Sequence, residues 1–570
     1  MLTPVRQLLL DFVHCCWTAL TRGPTRRILL PRPAASSLAV FGPSRGSPSI
    51  DFSQYGGVSL MKLNGWKKAC ALLLLCAATA IGSSAQTFTT LFSFDYTNGA
   101  YPSGSLIQGF NGNLYGTTGE GGNPLCYGGD ACGTVFEITE GGTLTSLHSF
   151  DTTDGAYPDA PLVQAADGDF YGATSWGGSF CTPSGCGTVF EITAGGALTS
   201  LYSFCSQTSC TDGSTPYSGL VQGKDGNLYG TTSNGGNSQC HDCGTVFKIT
   251  PAGTLTTLYS FCPQTGCTDG ATPNGLVLST NGNLYGTTYS GGVNHSGTVF
   301  TLTPRGKLTT LYSFCAQASC TDGASPGAGL IQATDGNFYG TTEGGGQLHS
   351  PLCAKFGGCG TVFKITPEGK LTTLYRFCAR RNCTDGAFPD ATLVQATDGY
   401  FYGTTGHGGT YNPPCDAGCG TVFVISPTTL TVLHYFCSLT GCTDGMSPGG
   451  LVQSTNGILY GITGSGGQTS TNCGTITDPG CGTVYSLNMG LGPFVKTNPA
   501  MGKVGSVVGI LGNNLKGTTS VSFNGTSTTF TVWSGSYIKA AVPVGATSGY
   551  VTVTTPNETL TSNVPFHVIP

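Results

Sequence analysis

The chain has 570 residues, of which 90 are glycine and 31 are proline, and its formal net charge is −5. Only 9% of the residues are charged, against about 25% in an ordinary soluble domain, whereas 39% are hydrophobic. Glycine and threonine are poor helix formers, which argues against a helical protein, and the small number of basic residues argues against nucleic acid as a partner. The composition predicts an all-β protein with an uncharged polar surface.

The first 85 residues differ from the rest of the chain. Residues 1–60 contain six arginines and none of the later repeat, and we interpret them as a non-native or disordered extension, with a genuine extension as the alternative. Residues 61–85 have the parts of a signal peptide: three lysines, an apolar run over 69–80 that is too short to span a bilayer, and small residues before Gln86. We therefore expect a secreted or cell-surface protein with no transmembrane segment in the mature chain, whose net charge is −12.

Residues 86–490 contain three short motifs, each of which occurs seven times. The tyrosine of Asx-Gly-x-[Leu/Phe]-Tyr-Gly stands at Tyr115, Tyr171, Tyr229, Tyr285, Tyr339, Tyr402 and Tyr460. Gly-Thr-Val-[Phe/Tyr] begins at Gly133, Gly187, Gly244, Gly297, Gly360, Gly420 and Gly482. A phenylalanine closes a third, Leu-rich motif at Phe94, Phe150, Phe204, Phe261, Phe314, Phe377 and Phe436. Repetition at this period is typical of solenoids and propellers.

Each repeat is predicted to form four strands, A to D. In the third repeat these are Gly219–Gln222, Asn227–Thr232, Gly244–Thr250 and Thr254–Phe261, and Asp225-Gly226 is predicted as a type I′ turn between the first two. Four short strands per repeat suit a blade of a β-propeller. The first D strand, Thr87–Phe94, precedes every A strand, and the last repeat ends without one. We expect the N-terminal strand to complete the last repeat and so to close a seven-bladed ring. The alternative, a linear solenoid, does not require this offset between the two ends of the repeat region.

The repeat resembles a family of exported bacterial proteins. The likeness rests on Asp225-Gly226-Asn227-Leu228-Tyr229-Gly230-Thr231-Thr232, on the Gly235-Gly236 pair and on Gly244-Thr245-Val246-Phe247-Lys248-Ile249-Thr250. These residues are similar to the GloVer-type (choice-of-anchor-like) tandem repeat. The resemblance implies export and a repeat architecture, but no activity, because the family has no established site residues to carry over.

Cysteines are the next signal. Of the 26, four precede residue 86 and the other 22 form local pairs. Six pairs lie between strands B and C: Cys126/Cys132, Cys181/Cys186, Cys240/Cys243, Cys353/Cys359, Cys415/Cys419 and Cys473/Cys481. Five follow strand D: Cys205/Cys210, Cys262/Cys267, Cys315/Cys320, Cys378/Cys383 and Cys437/Cys442. A loop that lacks one cysteine of a pair also lacks the other, which predicts a disulfide within each loop. The alternative is metal binding, which needs four ligands, and no second pair stands beside the first in sequence.

The B–C and D–A loops should emerge on one face of the ring, because successive strands alternate in direction. These loops are long and variable, which favours a binding surface there. The residues just after strand B differ in every repeat, and we predict six of them as ligand-binding: Glu120, Trp176, Asn234, Tyr289, Glu343 and His407, with Ser465 at the seventh position. Nearby Phe180, Phe356 and Tyr411 could stack on sugar rings. For each single residue the alternative is a solvated loop tip.

Other motifs are predicted to be structural. The repeated Thr-Asp-Gly, with Asp212, Asp322 and Asp444 among its members, could bind Ca²⁺ but favours an Asx turn. The repeated tyrosine of the second motif reads as packing within a blade. No catalytic motif and no metal or cofactor site is predicted; Glu120 with Glu343 is the one conceivable glycosidase pair.

Residues 491–570 are predicted to form a separate β-sandwich. The expected strands are Lys503–Leu511, Ser520–Phe523, Thr528–Trp533, Tyr537–Val542, Gly549–Thr554 and Val564–Val568. Pro499-Ala500-Met501-Gly502, Val521-Ser522-Phe523-Asn524-Gly525 and Gly549-Tyr550-Val551-Thr552-Val553 resemble the IPT/TIG immunoglobulin-like family. That resemblance implies a spacer or adhesion module.

Three functions are compatible with these features. The first is a secreted, non-enzymatic binding or adhesion protein that recognises a polysaccharide or a cell-envelope component through the loop face. The second is a carbohydrate-active hydrolase or lyase at the same channel mouth. The third is a structural envelope protein with no specific ligand. The oligomeric state is open.

Overall fold

A computed structural model describes residues 86–569 except 123–125, 127–130, 182–184, 238–242, 264, 348–349, 356, 412–414, 427, 469–472 and 476–477. The predicted N-terminal segments 1–60 and 61–85 lie outside the described residues. Among the described residues, no helix has the length and apolarity needed to cross a membrane.

The repeat region is all-β, and within the described residues its strands form seven four-stranded antiparallel sheets. The first described strand is β1 (Thr87–Ser93). Sheets 1 to 3 are β2 (Ala100–Gln108), β3 (Leu114–Glu120), β4 (Thr134–Ile138), β5 (Leu144–Ser149); β6 (Val163–Gln164), β7 (Phe170–Thr174), β8 (Thr188–Ile192), β9 (Leu198–Ser203); and β10 (Val221–Gln222), β11 (Leu228–Thr232), β12 (Thr245–Ile249), β13 (Leu255–Ser260).

Sheets 4 to 6 have the same strand order. They are β14 (Ala271–Leu278), β15 (Leu284–Ser290), β16 (Thr298–Leu302), β17 (Leu308–Ser313); β18 (Ile331–Gln332), β19 (Phe338–Thr342), β20 (Thr361–Ile365), β21 (Leu371–Arg376); and β22 (Val394–Gln395), β23 (Phe401–Thr405), β24 (Thr421–Ser426), β25 (Thr429–Tyr435). Sheet 7 contains β26 (Met446–Gln453), β27 (Leu459–Ser465) and β30 (Thr483–Asn488), joined by β1.

Short elements occupy the loops. A hairpin of β28 (Gly474–Thr475) and β29 (Asp478–Pro479) lies between β27 and β30, and one helical turn, α1 (Pro351–Lys355), lies between β19 and β20. Four 3₁₀ turns follow D strands, at Thr208–Cys210, Ala318–Cys320, Arg381–Cys383 and Thr440–Cys442.

The predicted A–B turn is wrong in type. A type I′ turn needs positive φ at both central residues, but of Asp225 and Gly226 only the glycine, with φ 79°, is left-handed. The Gly226 N–H donates to the carbonyl of Gly223, so the chain makes a type I turn followed by a left-handed glycine. The tyrosine of each repeat supports this turn from the next strand: the hydroxyl of Tyr229 donates to Asp225 across 2.9 Å.

The first strand of the chain completes the last sheet, as predicted. β1 pairs antiparallel with β30, with Thr87 opposite Asn488 and Ser93 opposite Thr483. The repeats are also linked by a ladder of glutamines at the end of strand A: each side-chain oxygen accepts from a backbone N–H of the preceding repeat at 2.9–3.0 Å. The link from Thr455 to Gln108 joins repeat 7 to repeat 1. Leu278 stands in place of glutamine in repeat 4.

Aromatic contacts between successive sheets form the core. The phenylalanine that follows each D strand meets the aromatic residue of the next C strand edge-to-face, with ring centroids 5.1–5.3 Å apart. Phe436 thus packs on Tyr485 of sheet 7, and Phe94, at the end of β1, packs on Phe136 of sheet 1. All four rings are almost completely buried. The hydrogen bonds and the aromatic contacts therefore join the seven sheets in the same order, with sheet 7 next to sheet 1.

The C-terminal strands form two four-stranded sheets and a parallel pair. They are β31 (Lys496–Asn498), β32 (Met501–Lys503), β33 (Val507–Leu511), β34 (Ser520–Phe523), β35 (Thr526–Ser527), β36 (Phe530–Val532), β37 (Tyr537–Ala541), β38 (Val551–Thr554), β39 (Thr559–Thr561) and β40 (His567–Ile569). The expected strand Lys503–Leu511 is wrong, because a turn at Gly505, with φ 85°, separates β32 from β33. Val508, Ile510, Val521, Phe523 and Val553 belong to the buried core of these sheets.

These C-terminal strands contact the A–B turns of the repeat region. The Tyr537 ring stacks on Phe110 of repeat 1, with centroids 4.3 Å apart and planes at 10°. The hydroxyl of Ser536 donates to the Phe110 carbonyl at 2.9 Å, and the side-chain amide of Asn498 donates to the carbonyl of Gln164 at 3.0 Å. The contact involves the face that carries the A–B turns, which we call the turn face. These strands do not cover the loop face, which carries the B–C and D–A loops.

Candidate functional site

The structure places the six predicted ligand residues at the end of strand B or directly after it. Glu120 ends β3 and Tyr289 lies in β15, whereas Trp176, Asn234, Glu343 and His407 follow their strands. Trp176 and Tyr289 expose 44% and 40% of their surface. Phe180 and Tyr411 are similarly exposed, and Phe356 lies outside the described residues.

Two of the six come together. The Glu343 carboxylate acts electrostatically on the Tyr289 hydroxyl and, with burial, raises the pKa of Tyr289, so repeats 4 and 5 contribute to one group. Burial and the charge of Asp390 raise the pKa of Glu343 to about 7, and the bond from Tyr289 opposes this shift. A carboxyl that titrates near neutral pH in a cleft is a mark of a functional site.

The other predicted residues have separate environments. The Asn234 amide donates to the Thr215 hydroxyl at 3.4 Å, and the His407 ring meets Phe388 edge-to-face at 5.5 Å. His407 is exposed to solvent, but the surrounding protein lowers its pKa. The carboxyl that acts on Glu343 is Asp390, not the predicted partner Glu120.

A second set of side chains, missed by the sequence analysis, lies at or just before strand A. An x-Pro-x segment lies in strand A of repeats 1, 4 and 7 and precedes strand A in the other four, and the residue after the proline varies among the repeats. We call these the post-proline positions; they are Ser103, Asp159, Tyr217, Asn274, Gly327, Asp390 and Gly449. The signal was present in the sequence, as variation directly beside an unvarying proline, but the B–C loops vary much more and drew attention away from it.

The backbone beside these positions is held in the same way in all seven repeats. The residue before the proline has a φ between 49° and 56°, an uncommon conformation for a non-glycine residue. Its N–H donates to a carbonyl of the preceding repeat at 2.8–3.0 Å, as from Phe388 to Cys359. The proline packs on a glycine of that repeat: a Cβ on Gly360 would come within 2.6 Å of Pro389. The variable side chain thus projects from a fixed frame.

Four residues from four repeats form one electrostatic group. The carboxylates of Asp159, Asp390 and Glu343 all act on Tyr217, whose pKa burial and these charges raise. Burial also raises the pKa of Asp159 and of Asp390 to about 6. Asp159 accepts hydrogen bonds from the hydroxyls of Ser103 at 3.2 Å and Ser175 at 3.0 Å. In the described part of the chain, no basic side chain contributes to the pKa of any of the three carboxyls.

A cavity of about 350 Å³ extends this group towards repeats 1 and 7. Its lining includes Ser103, Glu120, Asp159, Ser447 and Ser465. Asp159 lines this cavity and also acts on Tyr217, so the cavity and the group around Tyr217 share one carboxyl. Such a site can bind sugar hydroxyls or a cation, and its carboxyls can exchange protons near neutral pH.

Disulfides hold the loops around the site. In the structure the cysteines pair within their loops in ten cases, as in Cys353–Cys359 and Cys378–Cys383; Cys240, the expected partner of Cys243, lies outside the described residues. The expectation that no second cysteine pair lies beside the first is wrong, because pairs that are separate in sequence lie close together in the folded chain. The sulfurs of Cys353, Cys359, Cys378 and Cys383 lie within 4.8 Å of one another, because the two loops meet on one face. This number of disulfides fits an extracellular protein.

The Thr-Asp-Gly aspartates have internal partners. Asp322, which is completely buried, accepts from the Tyr312 hydroxyl at 2.8 Å and from the N–H groups of Ala316 and Gln317 at 2.9 and 3.1 Å. Both carboxylate oxygens are used, so the residue organises the D–A loop, but its backbone donors precede it in the chain and the predicted Asx turn is wrong.

A family model named the Gloeobacter/Verrucomicrobia repeat matches residues 78–240, 183–413 and 354–533 in tandem. The chain belongs to this repeat family. The match confirms the resemblance found in the tandem motifs. No curated protein matches this member of the family.

Three solved structures with a related shape are distant from this Gloeobacter/Verrucomicrobia repeat protein. Virginiamycin B lyase from Staphylococcus aureus is 15% identical, with a TM-score of 0.44, over 70% of this chain and 99% of its own. Oligogalacturonate lyase from Vibrio parahaemolyticus is 10% identical, with a TM-score of 0.39, over 70% and 96%. A gluconolactonase from Xanthomonas campestris is 13% identical, with a TM-score of 0.34, over 63% and 93%. Identity and TM-score are low in all three, so their activities are not carried over.

Proposed function

We propose that this chain is a secreted or cell-surface binding protein that recognises a carbohydrate through its loop face and through the lumen. By the lumen we mean the space around Asp159, Tyr217, Glu343 and Asp390. The observation that carries the proposal is the group formed by Tyr289, Glu343, Tyr217 and Asp390, in which carboxyls act electrostatically on tyrosines of other repeats. Aromatic faces pack on sugar rings and carboxylates accept from sugar hydroxyls, a combination that suits a polysaccharide or another glycan of the cell envelope.

The architecture proposed for this function is a seven-bladed β-propeller closed by the N-terminal strand and followed by an IPT/TIG-like sandwich. The pairing of β1 with β30 and the hydrogen bond between repeats 7 and 1 support closure. The C-terminal strands contact the turn face near Phe110, which would leave the loop face free to bind. Export through residues 61–85 is part of the proposal, and the disulfides are consistent with it.

A carbohydrate-active enzyme is the second candidate, and one observation favours it. Glu343, with a pKa of about 7, could act as a general acid, and Asp390, with a pKa of about 6, could act as a base. A hydrolase would use such a pair on either side of a glycosidic bond. We rank binding first because the repeats supply a continuous polar and aromatic lining, whereas the sequence carries no recognised catalytic motif.

A depletion assay separates the two candidates. Oxidised protein spanning residues 86–570 is mixed with insoluble polysaccharides and cell-wall fractions, and the supernatant is assayed for both protein and released sugar. Depletion without sugar release supports binding, and Tyr289→Ala should then reduce depletion while Tyr400→Ala, at an exposed turn-face tyrosine, should not. Sugar release that Glu343→Gln abolishes would establish the enzyme instead. No depletion from any material would contradict both.

A further inference from the structure

We propose that the turn face carries a separate binding site between repeats 3 and 4, and that this site takes the acetamido group of an N-acetylated amino sugar. The inference goes beyond the proposed function, because the site lies at the A–B turns and shares no residue with the lumen. It is a cavity of about 120 Å³ whose lining includes Lys224, Tyr229, Leu278, Gly282 and Leu284.

The cavity lies where the glutamine ladder is interrupted. In the other six junctions the glutamine side chain bridges two repeats. Its oxygen accepts from a backbone N–H of the preceding repeat at 2.9–3.0 Å, and its nitrogen donates to a glycine carbonyl of its own turn at 2.8–3.4 Å. Leu278 can make neither bond, and among the described residues the equivalent N–H of Lys224 has no acceptor and the equivalent carbonyl of Gly282 has no donor. The cavity therefore presents one donor and one acceptor, the pair that a carboxamide satisfies elsewhere in the ladder.

A second replacement in the same junction creates apolar space. In three junctions a phenylalanine of strand B stacks on the tyrosine of the preceding repeat, with ring centroids 4.0–4.1 Å apart, as Phe170 does on Tyr115. Leu284 stands at that place in repeat 4 and has no ring to lay on Tyr229. The junction between repeats 3 and 4 is the one whose sequence lacks both the glutamine and the phenylalanine. Since an apolar cavity of about 150 Å³ holds benzene, this cavity has room for a methyl and a carbonyl group.

An acetamido group matches these features together. Its carbonyl accepts from the Lys224 N–H, its N–H donates to the Gly282 carbonyl, and its methyl group packs in the apolar space beside Tyr229. A sugar without this group has no methyl to bury there. The rim suits the hydroxyls of the same sugar. The Lys224 ammonium bonds to the Thr280 carbonyl at 3.5 Å, a length at which a closer acceptor can replace the carbonyl, and the Asp225 carboxylate can accept from a second hydroxyl.

The test compares two probes that differ at this group, the methyl glycosides of N-acetylglucosamine and of glucose, whose binding to the oxidised protein is titrated by saturation-transfer NMR. The variant Leu278→Gln restores the ladder glutamine, whose amide should fill the cavity and bridge Lys224 to Gly282. Its control, Leu439→Gln, makes the same change at an exposed position of a D–A loop. We expect Leu278→Gln to bind the N-acetyl probe at least about tenfold more weakly, because two hydrogen bonds and a buried methyl group are lost, and the control to be unchanged. Wild type should prefer the N-acetyl probe to the glucose probe by a similar factor.

Tyr289→Ala separates this site from the proposed function. Loss of the N-acetyl probe in Leu278→Gln, with binding kept in Leu439→Gln and Tyr289→Ala, supports the inference. Loss in Tyr289→Ala alone would place the probe on the loop face, which overturns the inference and supports the proposed function. If wild type binds neither glycoside, or binds both equally, the inference is overturned while the depletion assay still decides the proposed function. If a glutamine-containing peptide binds in place of the N-acetyl probe, the cavity takes a protein side chain and the inference also fails. Because the restored glutamine adds hydrogen bonds, Leu278→Gln should unfold at or above the wild-type temperature, so that lost binding does not reflect unfolding.

Discussion

The backbone N–H of Tyr101 donates to the carbonyl oxygen of Cys481 across 2.8 Å, although 380 positions of sequence lie between them. An equivalent hydrogen bond joins each of the remaining pairs of successive repeats, as from Tyr157 to Cys132 at 2.9 Å. The seventh repeat is thus joined to the first by the interaction that joins all the others. Since this bond also fixes the residue before each proline, the link between repeats and the presentation of the post-proline side chains have one cause.

The glutamine ladder predicts the stability of the join between repeats 7 and 1. Gln108 is buried, accepts from the N–H of Thr455 and donates to the Thr455 hydroxyl, both at 3.0 Å. Gln108→Leu should therefore lower the free energy of unfolding by about 1–3 kcal/mol, the cost of leaving a buried N–H unpaired. Leucine is tolerated sterically at this place, since repeat 4 carries Leu278 there. Denaturant unfolding measures the effect, and an unchanged midpoint would contradict the role given to the ladder.

The contact between Phe110 and Tyr537 predicts how the C-terminal strands are held. The stacked pair should contribute about 0.5–1.5 kcal/mol beyond its buried area. Phe110→Ala should increase proteolytic cleavage between residues 489 and 495, whereas Phe530→Ala, within the C-terminal sheets, should destabilise those sheets without affecting the repeat region. Cleavage rates that are equal for wild type and Phe110→Ala would show that the stack does not hold the two parts together.

The lumen carboxyls predict a fall in stability as pH rises. In the folded protein the pKa of Asp159 and Asp390 is about 6 and that of Glu343 about 7, above their ordinary values. Between the two sets of values the folded chain holds more protons than the unfolded chain, so stability falls as pH rises through this window. We expect the melting temperature to fall from about pH 4 to about pH 7, and Glu343→Gln to flatten the fall. Glu368→Gln is the control, and an identical slope in both variants would refute the assignment.

The disulfides predict a peptide map. Although the sulfurs of Cys353, Cys359, Cys378 and Cys383 cluster within 4.8 Å, the structure pairs them within each loop. Mass spectrometry of the unreduced protein should therefore detect Cys353–Cys359 and Cys378–Cys383 after cleavage between the loops. Peptides that link Cys359 to Cys378 would contradict the pairing, and four free thiols would reopen the metal alternative.

The sequence specified strand order and pairing well because period-2 patterns and repeated motifs determine both. The position of β1 followed from the missing D strand, and the loop disulfides from the joint loss of partners. The turn at Asp225-Gly226 did not follow, because an Asx-Gly pair suits two turn types and the residue before it decides between them. Nor did the group around Tyr217, since Tyr217 and Asp390 are 173 positions apart and interact across repeats.

Hydroxyl-radical footprinting tests the central claim, that the lumen binds the ligand, most directly. Oxidation of tyrosine and tryptophan is measured with and without a soluble fragment of the polysaccharide that depletes the protein. Tyr217 and Tyr289 should be protected, whereas Tyr400 and Trp533, which are exposed to a similar degree away from the lumen, should be oxidised equally in both samples. Protection of Trp533 with no change at Tyr217 would place the ligand on the C-terminal strands and contradict the account.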